Sequence, residues 1–270
     1  MKSSFFVHIP QYPVNRFVQF IWISKGGQDD SKSRVLPNGT IELILNFGDI
    51  QKTLDSESFL VRNTFKNFWV AGIQGGPLII QSESDTDLLG IRFKPGGAYP
   101  FFKLPVSELF DQVVEADWLK TELDILREQV YELNDDNLAA RHVEQYLLEK
   151  LGTVEINIAT NFVLHQLANV NPPVTIEQLI AKTGYSHKHM VSLFKQQVGI
   201  SPKLLQRILR FQEILRAAKV SESLKWNDIL YAHSFFDPSH FVNDFKKLSG
   251  ITPDQYLASK TFDENHCLIR

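Results

Sequence analysis

Two segments of this chain, residues 189–202 and 240–253, place polar side chains in the same pattern and define its best candidates for chemistry. Seven of their fourteen positions are identical, including a lysine, a glycine and a proline. If each segment begins as a helix, its apolar residues face inward and its lysine, amide and hydroxyl groups face outward. Lysines neutralise phosphates, and an asparagine has the paired donor and acceptor that match an adenine edge. The repeat therefore predicts two helices that contact nucleic acid.

The outward positions of the two helices are the predicted base and phosphate contacts. The serines are weaker base readers than Asn243, and for any single residue an ordinary solvated surface stays open as the alternative. The inward stripe consists of Met190, Leu193 and Phe194 in the first helix and Phe241, Phe245 and Leu248 in the second. The predicted DNA contacts are Lys188, Val191, Ser192, Lys195 and Gln196, then Ser239, Val242, Asn243, Lys246 and Lys247.

A histidine opens each repeat, and histidine can bind a metal or titrate near neutral pH. A metal site needs a second ligand nearby, and His187 lies on a different helix face from His189. We therefore predict that His189 and His240 pack and form hydrogen bonds beside the inward stripe. No metal site and no cofactor are expected.

The residues before the first repeat predict the elements that position it. Thr175 and Gln178 have the spacing of a capping box, and Gly184 and Ser186 supply a turn and a second cap. Two short helices at about 175–197 should therefore meet through a tight turn. This is the helix-turn-helix arrangement, in which the second helix enters the DNA major groove.

The second copy repeats these signals at about 226–248, where Asp237 is an N-cap and Pro238 the first helical residue. A helix at about 202–219 links the copies, and some 17 residues at about 1.5 Å each span roughly 25 Å. With the width of the units, the two recognition helices should lie near one DNA turn, about 34 Å, apart. One chain could then fill two successive major-groove segments.

The longest specific pattern of the chain lies in its C-terminal part. It consists of residues 175–186, 193–195, 199–202, 235–241, 245–246 and 250–256. With it, residues 157–258 resemble the DNA-binding domain of the AraC/XylS family of bacterial transcription regulators. The resemblance implies two helix-turn-helix units joined by a linker helix, with promoter DNA and RNA polymerase as partners. The chain departs from the family at Ser234, usually Gly, at Phe236, commonly Ser, and at Asn243, often Arg.

The N-terminal part alternates apolar and polar residues in short runs separated by Gly, Pro and Asn turns, which is typical of strands. We predict an antiparallel sheet or barrel, followed by helices at about 117–133 and 137–151. The leucine stripe of the first helix could dimerise two chains, although packing against its own sheet is favoured. The predicted strands are residues 17–24, 40–47, 68–73, 78–82 and 88–94.

These patterns together predict an α+β multidomain chain. A β-rich domain with trailing helices, residues 1–152, would serve for effector sensing or dimerisation. An all-α DNA-binding domain, residues 157–258, and a tail, residues 259–270, would follow. The N-terminal domain resembles the sensing half of AraC/XylS regulators, and residues 90–99 are similar to a sensor type of that family.

A small effector would need a cavity in the N-terminal domain, because a barrel interior commonly holds one small ligand. Aromatic strand residues are more often plain core, so a solid interior remains the alternative. The candidate effector-lining residues are Trp22, Phe47, Trp69, Phe93 and Tyr99.

Composition excludes several other classes of protein. The 270 residues carry a formal charge of −3, but residues 157–270 hold 13 Lys plus Arg against 9 Asp plus Glu, so that half carries +4 and the rest −7. Cys267 is the only cysteine, which excludes an internal disulfide and a cysteine-based zinc site, and it lies in a polar tail. No apolar run suits a signal peptide or a membrane span. We therefore expect a cytoplasmic protein with no membrane contact.

Two functions from different classes remain. The first is a sequence-specific transcription regulator, by resemblance an activator, controlled by a small effector in the N-terminal domain. The alternative is a DNA-binding interaction protein whose N-terminal domain contacts protein partners and binds no ligand. A cavity of about 300 Å³ or more would favour the first, and a solid core with an exposed apolar patch the second. No enzyme is expected, because His8 and His142 lie far apart and no nucleophile motif occurs.

Overall fold

A computed structural model describes residues 4–26, 32–82, 86–152, 155–168, 175–220, 238–259, 261–263 and 266–269 of the chain. Short alternating segments form its strands, as the side-chain period of two requires. The strands are β1 (Ser4–His8), β2 (Val18–Lys25), β3 (Lys32–Val35), β4 (Glu42–Asn46), β5 (Gln51–Leu54), β6 (Val61–Phe65), β7 (Phe68–Ala71), β8 (Leu78–Ser82), β9 (Asp87–Phe93), β10 (Val113–Glu115), β11 (Thr261–Asp263) and β12 (His266–Ile269).

The strands form two antiparallel six-stranded sheets, ordered β1-β2-β9-β4-β7-β10 and β11-β12-β3-β8-β5-β6. All five strands predicted from alternation are confirmed, as β2, β4, β7, β8 and β9. Each order has two free ends, so the described residues form open sheets and not the closed barrel that was the other prediction. Alternation could not make this distinction, because it is the same in a sheet and in a barrel.

The helices follow the predicted order. Each of the two helices predicted after the sheet is confirmed, and residues 99–102 form one further helical turn. Residues 226–232 and the turn at 234–236, which include Ser234 and Phe236, lie outside the described residues. The helices are α1 (Tyr99–Phe102), α2 (Lys120–Tyr131), α3 (Asp136–Lys150), α4 (Ile158–Ala168), α5 (Ile176–Ala181), α6 (His187–Val198), α7 (Pro202–Val220), α8 (Pro238–Ser249) and α9 (Pro253–Ala258).

The leucine stripe of α2 packs inside its own chain. Leu123, Leu126 and Val130 are at most 5% exposed and belong to the main hydrophobic cluster. The burial of this stripe supports the favoured prediction, in which the stripe packs within its own domain and is not used for dimerisation. Helix α3 is held to the sheet by polar contacts as well, because Glu144 Oε2 lies 2.6 Å from His8 Nε2 on β1.

The C-terminal tail is part of the N-terminal sheet. Strand β12 pairs with β3, with Cys267 opposite Arg34, and the Cys267 side chain is 1% exposed. The prediction of a separate polar tail, with Cys267 in it, is therefore wrong. Its error has a physical reason: strand pairing over more than 200 residues of sequence leaves no local pattern in a short segment.

One hydrophobic cluster runs through the whole described chain. It joins Phe93 of β9, Leu126 of α2, Phe194 of α6 and Phe245 of α8, each at most 1% exposed. Burying one such side chain contributes about 1.5–3 kcal/mol to stability. The sheets and the helix-turn-helix units are therefore packed against each other and not merely tethered.

Candidate nucleic-acid interface

The first helix-turn-helix unit is built by local hydrogen bonds that the sequence specifies. The Gln178 backbone N–H donates to Thr175 Oγ1 at 3.2 Å, and the Thr175 N–H donates to Gln178 Oε1 at 3.1 Å, which completes the predicted capping box. Gly184 has a φ of 76° in the turn, and Ser186 Oγ accepts from the His189 N–H at 3.3 Å. These contacts confirm both predicted caps.

Helix α6 has the two faces that its periodicity predicts. Met190 and Phe194 are fully buried, whereas the lysines and polar residues of the opposite face are exposed. Val191 is half-buried and packs against the main cluster. The exposed predicted contacts of this helix are Lys188, Ser192, Lys195 and Gln196.

Helix α8 repeats this arrangement. Phe241, Phe245 and Leu248 are buried, and the Phe245 ring contacts Phe211 of α7 and Tyr256 of α9 at centroid distances of 5.2 and 5.8 Å. The side chain of Ser239 lies outside the described part of the structure. The exposed predicted contacts of this helix are Val242, Asn243, Lys246 and Lys247.

The linker helix fixes the second unit through an ion pair that the sequence did not reveal. Arg207 Nη2 of α7 donates to Asp244 Oδ1 of α8 at 2.8 Å, and both side chains are about 30% exposed or less. Arg207 follows Lys203 by four residues, so the two share one face of α7. The spacing of these two basic residues could have predicted the charged face of α7, but it does not identify Asp244 as the partner of Arg207.

His189 differs from its prediction. It is exposed and not packed beside the inward stripe, and its ring lies next to that of Tyr185, at a centroid distance of 4.8 Å and a tilt of 40°. The side chain of His240 is not among those described. Among the described residues, no group of three or more His, Cys, Asp or Glu could hold a metal ion.

Glu177, at the start of the first unit, is stabilised in its charged form by neighbouring groups. The pKa of Glu177 is lowered first by a backbone hydrogen bond and then by the Thr175 hydroxyl, with smaller contributions from the charges of His187 and Lys203. Glu177 lies in the first turn of α5, where a negative charge also interacts favourably with the helix dipole.

Both recognition helices end against the N-terminal domain. A Cβ at Gly199, just after α6, would lie 3.3 Å from the Val106 carbonyl oxygen, and one at Gly250, just after α8, would lie 2.9 Å from Pro77 Cγ. Between these ends, the buried Gln212 Nε2 donates to the Pro37 carbonyl at 2.7 Å. The N-terminal domain therefore contacts α6, α7 and the end of α8.

A cavity of about 380 Å³ that is half open to solvent lies at this junction, and the charged residues Asp111, Lys203 and Lys247 that line it are exposed. The N-terminal domain contributes Phe110 and Asp111. Ser201, just before α7, and Lys203, Leu204 and Arg207 in its first two turns form the opposite wall. The end of α8 contributes Lys247 and Leu248. Lys247, predicted to contact DNA, thus also lines this cavity.

None of the five predicted effector-lining residues borders that cavity. Trp22 and Trp69 belong to a small cluster with Ile44 and Phe65, whereas Phe93 is buried in the main cluster. Phe47 stacks on Tyr131 of α2, and Tyr99 packs at the edge of the main cluster. The structure therefore divides them between two clusters, and their contact with an effector stays a prediction.

Polar groups converge beside Trp22. Arg92 Nε donates to Glu42 Oε1 at 2.6 Å, and Trp22 Nε1 donates to Glu42 Oε2 at 3.1 Å. The indole also covers Gly90, where a Cβ would lie only 2.1 Å from the Trp22 ring. The trio is paired internally, since the carboxylate accepts from both neighbours.

No helix in the described ranges is long and apolar enough to cross a membrane.

Comparison with known proteins matches two separate stretches of the chain. Residues 138–259 match a helix-turn-helix domain, and residues 7–115 match a domain of unknown function (DUF6597). The chain is 23% identical over 153 residues to the uncharacterized HTH-type transcriptional regulator YtdP of Bacillus subtilis, covering 56% of this chain and 18% of YtdP. It is 28% identical over 101 residues to the probable transcription factor PqrA of Proteus vulgaris, covering 37% of this chain and 80% of PqrA.

Among solved structures, the chain is similar to ToxT from Vibrio cholerae, with a TM-score of 0.47, 12% identity and coverage of 88% of this chain and 98% of ToxT. Another ToxT structure, bound to an unsaturated fatty acid, matches with a TM-score of 0.47 and 10% identity, covering 95% of this chain and 96% of that one.

The chain thus combines a C-terminal helix-turn-helix domain, which has two exposed polar helix faces, with a separate N-terminal domain. Residues 138–259 are similar to an AraC-type helix-turn-helix domain, and the chain shares sequence with two proteins named as transcription regulators.

Proposed function

We propose that this chain is a cytoplasmic activator that binds promoter DNA sequence-specifically through α6 and α8 and is controlled by a small effector. The observation that carries the DNA part is the pair of exposed polar faces, each opposite a buried apolar stripe and each bearing lysines. Lysines on these faces supply salt-dependent phosphate binding, and Asn243 supplies base readout. RNA polymerase and a second copy of the chain are its proposed protein partners.

A cavity supports the effector part of the proposal. Its volume of about 380 Å³ exceeds the roughly 300 Å³ that small-ligand sites typically need. It lies between the two domains and not inside the N-terminal one. A ligand there would contact α7 and α8 directly, so its binding would be linked to the arrangement of the DNA-binding units.

One observation favours the alternative of an N-terminal domain that contacts protein. Strand β1 lies at a sheet edge, and Phe5, Val7 and Ile9 on it and just after it are 67%, 46% and 72% exposed. Exposed apolar edge strands pair readily with another chain. This second candidate keeps the DNA binding of the first.

The DNA proposal is tested by selecting bound sequences from random duplex DNA at about 150 mM salt, where non-specific phosphate binding is weakened. We expect a motif of two half-sites about one turn apart. Asn243→Ala should relax one base position, a loss of about 1–3 kcal/mol of discrimination. Asn161→Ala, an exposed asparagine on α4, is the matched control and should leave the motif unchanged.

Binding without any enriched motif, or a motif that Asn243→Ala and Asn161→Ala change equally, would contradict the assignment of α8 as a reader. Lys195→Ala and Lys246→Ala give a second readout. Each should reduce the slope of log affinity against log salt by about 0.9 if it contacts a phosphate.

A further inference from the structure

The interdomain cavity combines walls from parts of the chain that are distant in sequence. On one side are Gly75, Phe110 and Asp111 of the N-terminal domain. On the other are the start of α7, with Lys203 and Leu204, and the C-terminal end of α8. A ligand in this position would contact both domains at once.

Positive charge predominates in the cavity. Lys203, Arg207 and Lys247 line it together with one acid, Asp111. Asp111 Oδ1 already accepts the Gly75 backbone N–H at 2.6 Å. No ion pair joins Lys203 or Lys247 to a carboxylate within the described part of the chain. Two lysine ammonium groups therefore remain available to a ligand anion.

The backbone of α7 adds to this potential. Ser201 precedes the helix and its hydroxyl accepts the Leu204 N–H at 3.3 Å, and Ser201, Lys203 and Leu204 line the cavity, so the positive N-terminal turn of a 19-residue helix borders it. Together with three cationic side chains, a helix start of this kind favours carboxylate and phosphate groups.

The remaining lining is apolar. Phe110, Leu204 and Leu248 contribute ring and aliphatic surface. A ligand that satisfies both kinds of wall has one anionic group and a compact apolar part. The volume of about 380 Å³ is at the small end of the roughly 300–1,000 Å³ range of ligand pockets.

The geometry points to this cavity as the site of a small organic anion, a carboxylate or phosphate ester with an apolar part, contacted by Lys203, Arg207 and Lys247. This deepens the proposed function and rests on its effector part. Arg207 connects the site to DNA binding, because it also holds Asp244 of α8 at 2.8 Å. A bound anion competes with Asp244 for the guanidinium and so weakens one tie between α7 and the second recognition helix.

The test is isothermal titration calorimetry of the full chain, without DNA, with benzoate, phenyl phosphate and the neutral isostere benzamide, each up to about 10 mM. At least one anion should bind tenfold or more tightly than benzamide, and the comparison of the two anions distinguishes carboxylate from phosphate. Lys203→Ala and Lys247→Ala should each weaken that binding about tenfold, the loss expected for one charge-assisted hydrogen bond.

The matched control is Lys120→Ala, which removes the same charge from an exposed position at the start of α2 and should leave the affinity unchanged. Asp244→Asn provides an independent readout, since releasing Arg207 should tighten anion binding severalfold. Circular dichroism checks that each variant is folded.

No binding by any probe, equal binding of benzamide and both anions, or wild-type affinity in the two lysine variants would each overturn the assignment. These titrations contain no DNA, so their failure leaves the DNA-binding proposal standing. A failed DNA selection would equally leave the titrations interpretable.

Discussion

A single methyl group can test whether the second helix-turn-helix unit is docked on the N-terminal domain. Gly250 follows α8 with a φ of 74°, and a Cβ there would lie 2.9 Å from Pro77 Cγ and 3.6 Å from Arg34 Nε. Both neighbours belong to the N-terminal domain. Gly250→Ala therefore inserts a methyl group directly into the domain contact.

The expected loss of stability has two parts. An alanine in the left-handed region lowers the free energy of unfolding by about 1–2 kcal/mol. The lower conformational entropy of its unfolded chain offsets about 0.4–1 kcal/mol of this loss. Carbon atoms normally approach to about 3.5–4.0 Å, so the Pro77 contact is too short and overpacking adds about 1–3 kcal/mol. We expect Gly250→Ala to lower the free energy of unfolding by about 2–4 kcal/mol.

The chain contains a control that separates the two parts. Gly184, in the turn of the first unit, has a φ of 76°, but a Cβ there would meet nothing within 4 Å. Gly184→Ala therefore carries the backbone strain without the domain contact. Its loss should be about 1 kcal/mol.

Urea denaturation followed by tryptophan fluorescence measures both losses. The difference between the variants, about 1–3 kcal/mol, is the part due to the domain contact. If Gly250→Ala cost no more than Gly184→Ala, then α8 would not end against Pro77 in solution. The docked arrangement, and with it the interdomain cavity, would have to be abandoned.

Two further predictions concern the N-terminal domain, each with a test variant and a control. If β1 pairs with β1 of a second copy, light scattering should give about twice the 31.0 kDa chain mass. Val7→Lys should then return the monomer, whereas Val61→Lys on exposed β6 should not. A monomeric wild-type protein would contradict this contact. Glu42→Gln leaves Arg92 without its carboxylate and should cost about 1–3 kcal/mol in urea denaturation. The exposed Glu57→Gln should cost less than about 0.5 kcal/mol, and equal losses would show that the Arg92 pair adds no stability.

Local patterns predicted the elements of this fold because local physics forms them. Alternation along β9 places the buried residues Leu89, Ile91 and Phe93 at every second position, and it was visible in the sequence. The capping box at Thr175 is likewise a contact between residues three apart. Such signals act within a few positions, so one sequence is enough to read them.

Contacts between distant residues left no such signal. Strand β12 pairs with β3 across the chain, and its few residues show no period that distinguishes a strand from a loop. The cavity likewise needs Phe110, Lys203 and Lys247 from three separate segments. The spacing of Lys203 and Arg207 predicts one face of α7, but only the packing of the domains shows what faces it.

The recognition helices divide their surfaces among three tasks. Their apolar stripes hold each unit together, their exposed outward faces are the proposed DNA contacts, and the turns that end them, at Gly199 and Gly250, contact the N-terminal domain. Because both ends rest on one domain, that domain and the linker helix together determine the separation of the outward faces. That separation has to match the DNA repeat of about 34 Å for both units to bind. A ligand at the junction can therefore alter DNA affinity without approaching either outward face, by changing how the end of α8 meets α7.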